Sequence, residues 1–365
     1  MSRRPRKLHI AIIVGIALAI GIGTGLMVES YTRDRVMDEA FDRMRLFHDL
    51  RKAAVEDYMR SMSSDLRAMS RNGRMISAVQ RFDESWNDIG AEAPATVRRL
   101  YIEENPYGPG ERDMLEDAGD GSAYSKVHAE FHEWARRFLG HFRYYNMFLI
   151  DPEGNVVYTA AKEDDFGTNL NDGPYSDSPL ARVFQLAVKR GPERVSVSDF
   201  ELYEPSLEAP ATFIATSIYS KDGKLLGVLA IELLAGPIND LLHFTAGMGE
   251  TGETYLVGND RLMRSQSRFI RESTLLSQRV DTPSVSSALA GFAGAQLIED
   301  YRGVPVLSVY SPVDFGGQPW VLLAEIDHAE ILSQIDVWPI LISGLIAGLA
   351  AAIAGIAVFR SYVWR

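Results

Sequence analysis

Two long apolar runs, Leu8 to Val28 and Val337 to Phe359, stand at the ends of this 365-residue chain and constrain everything between them. About 20 apolar residues, at a rise of ~1.5 Å each, cross a hydrocarbon layer ~30 Å thick as one helix. Each end is therefore expected to span a membrane, with residues 29–336 on one side of it. Arg3, Arg4, Arg6 and Lys7 precede the first run, and Arg360 and Arg365 follow the second. Basic flanks stay cytoplasmic, so residues 1–7 read as a cytoplasmic tail, 8–28 and 337–359 as the spans, and 360–365 as a cytoplasmic stub. A cleaved signal peptide is the competing reading of the first run, but that run exceeds the usual ~7–15 apolar residues and no small-x-small cleavage site ends it. Trp338, Tyr362 and Trp364 fall where an aromatic belt would anchor the second span. Gly21 and Gly25 in one run, and Gly344, Gly348 and Ala352 in the other, offer small faces for close helix pairing.

The chain carries 37 basic and 49 acidic residues; with the six basic residues of the termini set aside, the outer segment keeps 31 against 49, a formal charge near −18. Nucleic acid is excluded as a partner, because its phosphates need a basic surface. There is no cysteine. Disulfides and thiolate metal sites are thereby excluded, and an exported domain must rely on its apolar core.

From Met37 the apolar positions run through Ala40, Met44, Phe47, Leu50, Ala54, Tyr58, Met62, Leu66 and Met69, the spacing of one helical stripe. No Gly or Pro interrupts the chain between Gly25 and Gly73. A helix over about residues 29–71 would reach roughly 65 Å, more than one compact module needs, so a stalk is expected. Further helical stretches are predicted at 75–89, 95–104 and 124–139, within a stalk and helical region of residues 29–143. Beyond Tyr144 the pattern changes to strands. Met147 to Ile150 and Val156 to Thr159 flank the turn Asp151-Pro-Glu-Gly154, and Phe213 to Tyr219 and Leu225 to Leu233 flank Lys221-Asp-Gly-Lys224. The same order recurs: Thr254 to Val257 with Leu262 to Ser265, a helix at 283–290, then strands at 304–313 and 320–326. Val228-Leu-Ala-Ile-Glu232 against Val321-Leu-Leu-Ala-Glu325 is the closest internal match. Two copies of one unit follow, at 144–240 and 241–330, each expected to build a five-stranded antiparallel sheet with helical cover. The fold class is α+β.

Anchor helix, stalk, two PAS-like modules and second anchor together resemble the double Cache sensor regions of bacterial chemotaxis receptors, sensor kinases and membrane cyclases. The phrases that carry the resemblance are Asn105-Pro-Tyr, Asp120-Gly-Ser-Ala-Tyr124, Tyr145-Asn-Met-Phe-Leu-Ile-Asp151, Asp165-Phe-Gly-Thr-Asn-Leu170, Asp199-Phe-Glu-Leu-Tyr-Glu-Pro-Ser206, Gly252-Glu-Thr-Tyr-Leu-Val-Gly258 and Met263-Arg-Ser265. The resemblance implies a two-pass inner-membrane protein with a periplasmic sensor, homodimeric, that binds a small organic solute in its membrane-distal module and signals to a cytoplasmic output. Residues 360–365 hold no HAMP helix, kinase, cyclase or methyl-accepting coiled coil, so the output, a cytoplasmic domain or protein, is expected to be cut away, encoded elsewhere or absent. Neither enzyme activity, a cofactor nor a resident metal is expected.

The ligand-binding candidates are Trp134, Arg137, Tyr158, Asp165, Asp199, Tyr203 and Ser206. By resemblance the pocket lies between the distal sheet and its connecting loops, with Trp134 and Arg137 contributed by the preceding helix. Asp199 and Tyr203 could hold a cationic amine by charge and by the face of the ring. Asp199 could equally cap a local turn, Trp134 could be core, and Arg137 could pair with Glu133 one turn back. Amino-acid-binding members of the family carry Arg-x-Trp-Tyr, whereas here His132 and Ala135 flank Trp134, so an amine, an organic acid or a purine-like solute is expected instead. His128 and His132, at i and i+4, have the spacing of a zinc pair, but Ala129 stands where the metalloprotease pattern needs Glu. Arg264 and Arg268 read as solvated or locally paired. A membrane-tethered interaction protein and, behind it, a periplasmic metal-dependent enzyme are the competing functional classes.

Overall fold

The computed structural model describes residues 3–363 apart from Thr245. Trp364 and Arg365 lie outside the described residues, as do the side chains of Arg3, Arg4, Arg6, Lys7 and Tyr362. The first span and the stalk are one uninterrupted helix, α1 (Arg3–Ser70), which at ~1.5 Å per residue is about 100 Å long. It is followed by α2 (Gly73–Ile89), α3 (Ala93–Arg98) and α4 (Ala123–Phe142). Ser122 starts α4 by accepting the Ser125 amide at 3.0 Å, and Arg143, left-handed at φ 59°, ends it and turns the chain into the first sheet.

That sheet contains β1 (Asn146–Ile150) and β2 (Val156–Thr159), then, after α5 (Pro179–Arg190), β3 (Val195–Val197), β4 (Glu201–Tyr203), β5 (Ala209–Tyr219) and β6 (Leu225–Leu234). Its order is β2-β1-β6-β5-β3, with β4 also on β5. After α6 (Gly236–Leu242) come β7 (Glu253–Val257), α7 (Pro283–Leu289), β8 (Gly294–Glu299), β9 (Pro305–Phe315) and β10 (Gln318–Asp327). They form a second sheet ordered β7-β10-β9-β8. The duplication is explicit in the pairing: β1, β6, β5 and β3 correspond to β7, β10, β9 and β8. Neither sheet has the expected five strands. The first gains β4, and the second lacks a partner for β2, because Leu262 to Ser265 makes only isolated bridges from Met263 to Val257 and from Leu262 to Arg279. Ser265 Oγ takes the Leu256 amide at 2.9 Å, so a side chain replaces the ladder carbonyl at that point.

α1 passes the second sheet first, burying Ala40 and Met44 against Leu307, Val309 and Ile326. It then enters the main core with Val55, Met59, Met62 and Leu66, a cluster that joins the first sheet to Val313, Phe315, Trp320 and Leu322 of the second. The buried stripe differs from the expected one in its middle: His48 is 3% exposed while Leu50 is 53% exposed. Two polar residues, His48 and Arg51, sit on the inward face there, and a count of apolar positions alone drifts to their neighbours. After α8 (His328–Ser333), α9 (Val337–Val363) returns along the start of α1. Both ends have helices long and apolar enough to cross a membrane. They cross at the small residues: a methyl group on Gly21 would sit 2.8 Å from the Gly344 carbonyl oxygen, and one on Gly344 would sit 2.9 Å from that of Gly21.

Candidate functional site

β2 ends at Thr159, and the chain bends there because Asn146 Oδ1, which also accepts the Met147 amide at 2.8 Å, collects three donors from the bend: Thr159 Oγ1 at 3.0 Å and the amides of Ala160 and Ala161 at 3.1 and 3.0 Å. The bend carries Ala160, Ala161 and Glu163 into the wall of a cavity of about 320 Å³, closed by Tyr145 and by Asp113, Arg136 and Leu139 from the helical side. A volume of this size suits a small solute. Arg136 Nε donates to Asp113 Oδ2 at 3.0 Å, so the one cation in this wall is already paired.

Carboxylates gather beyond Glu163. Tyr145 donates to Glu163 Oε1 at 2.6 Å, and Ser206 Oγ lies 2.8 Å from Glu163 Oε2 and 2.7 Å from Glu232 Oε1. Tyr203 donates to Asp165 Oδ2 at 2.7 Å. Oδ1 of Asp165 and Oε2 of Glu232 are buried with no hydrogen-bond partner. Burial pushes the Asp165 carboxyl up to about 7 and Glu232 well above its ordinary range, and the charge of Glu163 adds to both. Burial also raises Glu163, against the pull of its Tyr145 and Ser206 hydrogen bonds. No cation partners this group among the hydrogen bonds and ion pairs of the described residues. Three carboxyl groups thus gather here, and two of them keep an oxygen that lacks a hydrogen-bond partner.

The seven sequence candidates divide. Asp165, Tyr203 and Ser206 are brought together in this group. Tyr158 is buried behind it, its hydroxyl 2.8 Å from His132 Nδ1. Trp134 stacks on Phe138 and lies under Arg74, on the face of α4 toward α2. Arg137 is exposed and paired with Glu133 at 3.0 Å; its neighbour Arg136 is the one that reaches the cavity. Asp199 is held at the junction of the two sheets by Arg264, whose Nε and Nη2 lie 2.9 and 2.8 Å from its two oxygens, and by Trp320 Nε1 at 2.9 Å. Arg264 is buried rather than solvated; it pairs with the local acid Asp260 at 2.9 Å, as one of the expected alternatives had it, and in addition across the modules with Asp199. Glu163, Glu232 and Tyr145 were missed. A glutamate closing an otherwise apolar strand at the same register in both copies, Glu232 and Glu325, was the available signal.

The histidine pair is packed, not open. His128 and His132 stack at 4.6 Å. His128 Nδ1 donates to the Glu116 carbonyl at 2.7 Å, and His132 Nε2 lies 2.7 Å from the Asp113 carbonyl and 2.9 Å from Lys162 Nζ. Burial lowers all three, His132 to about 3 and Lys162 to about 7. The described residues place another acidic trio, Asp83, Asp151 and Glu153, at the first hairpin, but Asp151 there is bonded to Asn155.

The extracellular domain of the histidine kinase vpHK1S-Z8 is similar in fold at 11% identity and a TM-score of 0.49, over 86% of this chain and 99% of that one. Methyl-accepting chemotaxis protein X aligns at 15% and 0.48 over 80% and 100%. The sensory domain of the Campylobacter jejuni chemoreceptor Tlp3 aligns at 15% and 0.45 over 83% and 99%. No curated protein matches by sequence. The Cache domain family model matches residues 43–335, from the stalk through both sheets. The chain belongs to the Cache domain family, as a double Cache sensor region.

Proposed function

We propose that this chain is a two-pass receptor of a bacterial inner membrane, spanning it at residues 8–28 and 337–359, whose outer region binds a small organic cation and signals to a cytoplasmic output. The first sheet, residues 144–240, is the membrane-distal binding module, and 241–330 is the proximal one. The observation that carries the ligand class is Glu163 in the cavity wall, bridged through Ser206 to the buried Glu232 and followed in the chain by the buried Asp165, the latter two each with one oxygen left without a donor. An ammonium group supplies several donors and a full charge, so it satisfies what the fold leaves open. An organic acid would meet a wall whose only arginine is already paired.

An isosteric pair tests this reading: thermal unfolding of the full chain in detergent with n-butylammonium or with butyrate. The amine should raise the Tm of the wild type and not that of Glu163→Gln; a ligand at 100 times its Kd stabilises by ~2.7 kcal/mol. Stabilisation by butyrate, or an equal response of the variant, would overturn the assignment.

A further inference from the structure

Asp199 and the carboxylate group are ends of one short stretch. Residues 199–206 leave β3, form β4 and close a single 3-10 turn at Glu204–Ser206. Tyr203 holds Asp165 at 2.7 Å, and Ser206 bridges Glu163 and Glu232 at 2.8 and 2.7 Å. At the other end the Asp199 carboxylate takes the fork of Arg264, the Trp320 indole N–H at 2.9 Å and its neighbour's amide, that of Phe200, at 2.8 Å. Arg264 and Trp320 both belong to the second module.

The clamp is built rather than incidental. Arg264 is 2% exposed. Its backbone is tied to β7 by the amide bond to the Leu256 carbonyl at 2.8 Å, and its guanidinium also reaches Asp260 Oδ2 at 2.9 Å and the Leu262 carbonyl at 3.0 Å. Gly258 leaves the space: a methyl group there would lie 2.3 Å from the guanidinium carbon. Trp320 is stacked on Phe315 at 3.9 Å and faces Phe200 at 5.8 Å. Two parallel charge-assisted bonds fix direction as well as distance, so segment 199–206 cannot move at its Tyr203 end without straining either this fork or the loop that carries it.

We propose that Arg264 is a positioning residue for the distal site: through Asp199 it sets segment 199–206 and carries any displacement of Tyr203 and Ser206 into the second sheet. The proposal rests on the distal cavity being the binding site, but its test needs no ligand. Hydrogen exchange is measured on the full chain in detergent for wild type, Ser206→Ala, Arg264→Met and the double variant. Ser206→Ala should speed amide exchange in 258–267 by about tenfold, which corresponds to ~1.4 kcal/mol, and should leave those amides unchanged when added to Arg264→Met. Asp199→Asn, which keeps one acceptor oxygen for Trp320 but sets an amide donor against the Arg264 fork, should abolish the transmission in the same way, and it stands in should Arg264→Met not fold. An equal effect of Ser206→Ala in all backgrounds, or none in the wild type, would overturn the proposal. Failure of n-butylammonium to bind is a separate result that removes the cation reading and leaves the exchange comparison intact.

Discussion

Asp165 shows how a single buried oxygen can govern the pH response of the unliganded molecule. Its carboxyl is pushed from 3.8 up to about 7, first by burial and then by the charge of Glu163. The folded chain therefore keeps a proton on Asp165 at pH values where the unfolded chain has lost it. Stability from this group is fully present below about pH 4 and is lost as the pH rises toward 7. Asp165→Asn keeps an acceptor for Tyr203 and removes the titration. Between pH 5 and 7 the variant should lose less stability than the wild type, by at most ~1.4 kcal/mol per pH unit, the limit for one proton. Denaturant unfolding at the two pH values checks this, and equal slopes would show that Asp165 ionises freely. Asp165, Tyr203 and Ser206 were legible in the sequence because polar residues between apolar strands mark the connecting edge of a sheet. Glu232 left one mark, the glutamate at the matching position 325 of the second copy, but that repeat does not say that either side chain is desolvated.

Gly258 sets the geometry of a whole element. It follows β7, and the Arg264 guanidinium fills the space beside it; a methyl group would meet the guanidinium nitrogens at 2.4 and 2.8 Å. Gly258→Ala must displace the fork from Asp199 or push β7 aside, and overpacking of a closed site costs about 1–3 kcal/mol. Thermal unfolding should show that loss in the wild type and a clearly smaller one when Arg264 is replaced by Ala, because the clashing group is then gone. Equal losses in both backgrounds would place the cost elsewhere, in the backbone of the turn. The same clamp explains why one expected strand is missing. Leu262 to Ser265 has the place of a hairpin arm after the turn at 258–260, but Ser265 Oγ occupies the Leu256 amide and Arg264 turns its charge toward the other module. Periodicity reports which residues can face a sheet; it is silent about a side chain recruited by a partner some 65 residues away. The long strands β5, β6, β9 and β10 were found within a few residues of their ends, since their nearly unbroken apolar runs match burial on both faces, whereas the short β3 and β4 and the half-exposed β8 carry no such run and were given no range.

At the scale of the molecule, the long helix α1 joins the apolar ends to both sheets, so a shift in either sheet bears on the same rod. Its buried face touches the second sheet through Ala40 and Met44 and reaches the first through Met62 and Leu66. The long apolar helix at each end and the duplication were both legible, the first from apolar length and the second from the repeated order of strands. What the sequence left open was the partner of the small-residue faces, because Gly21, Gly344 and Gly348 suit a helix of the same chain or of another copy equally well. In the fold they meet within one chain, at 2.8 Å for a methyl group built on Gly21 and 3.3 Å, from the Ala17 carbonyl, for one on Gly348. The absence of cysteine makes this directly testable. With Ala17→Cys and Gly348→Cys together, mild oxidation in membranes should give a cross-link inside each chain, seen as a monomer whose tryptic peptides from the two spans stay joined until reduced. The two positions are neighbours across the helix pair, since a methyl group on Gly348 meets the Ala17 carbonyl oxygen. A predominantly dimeric product would mean that the small faces pair between copies. α1 and α9 would then pack against a neighbouring copy rather than against each other, and a shift of the second sheet along α1 would bear on that interface first.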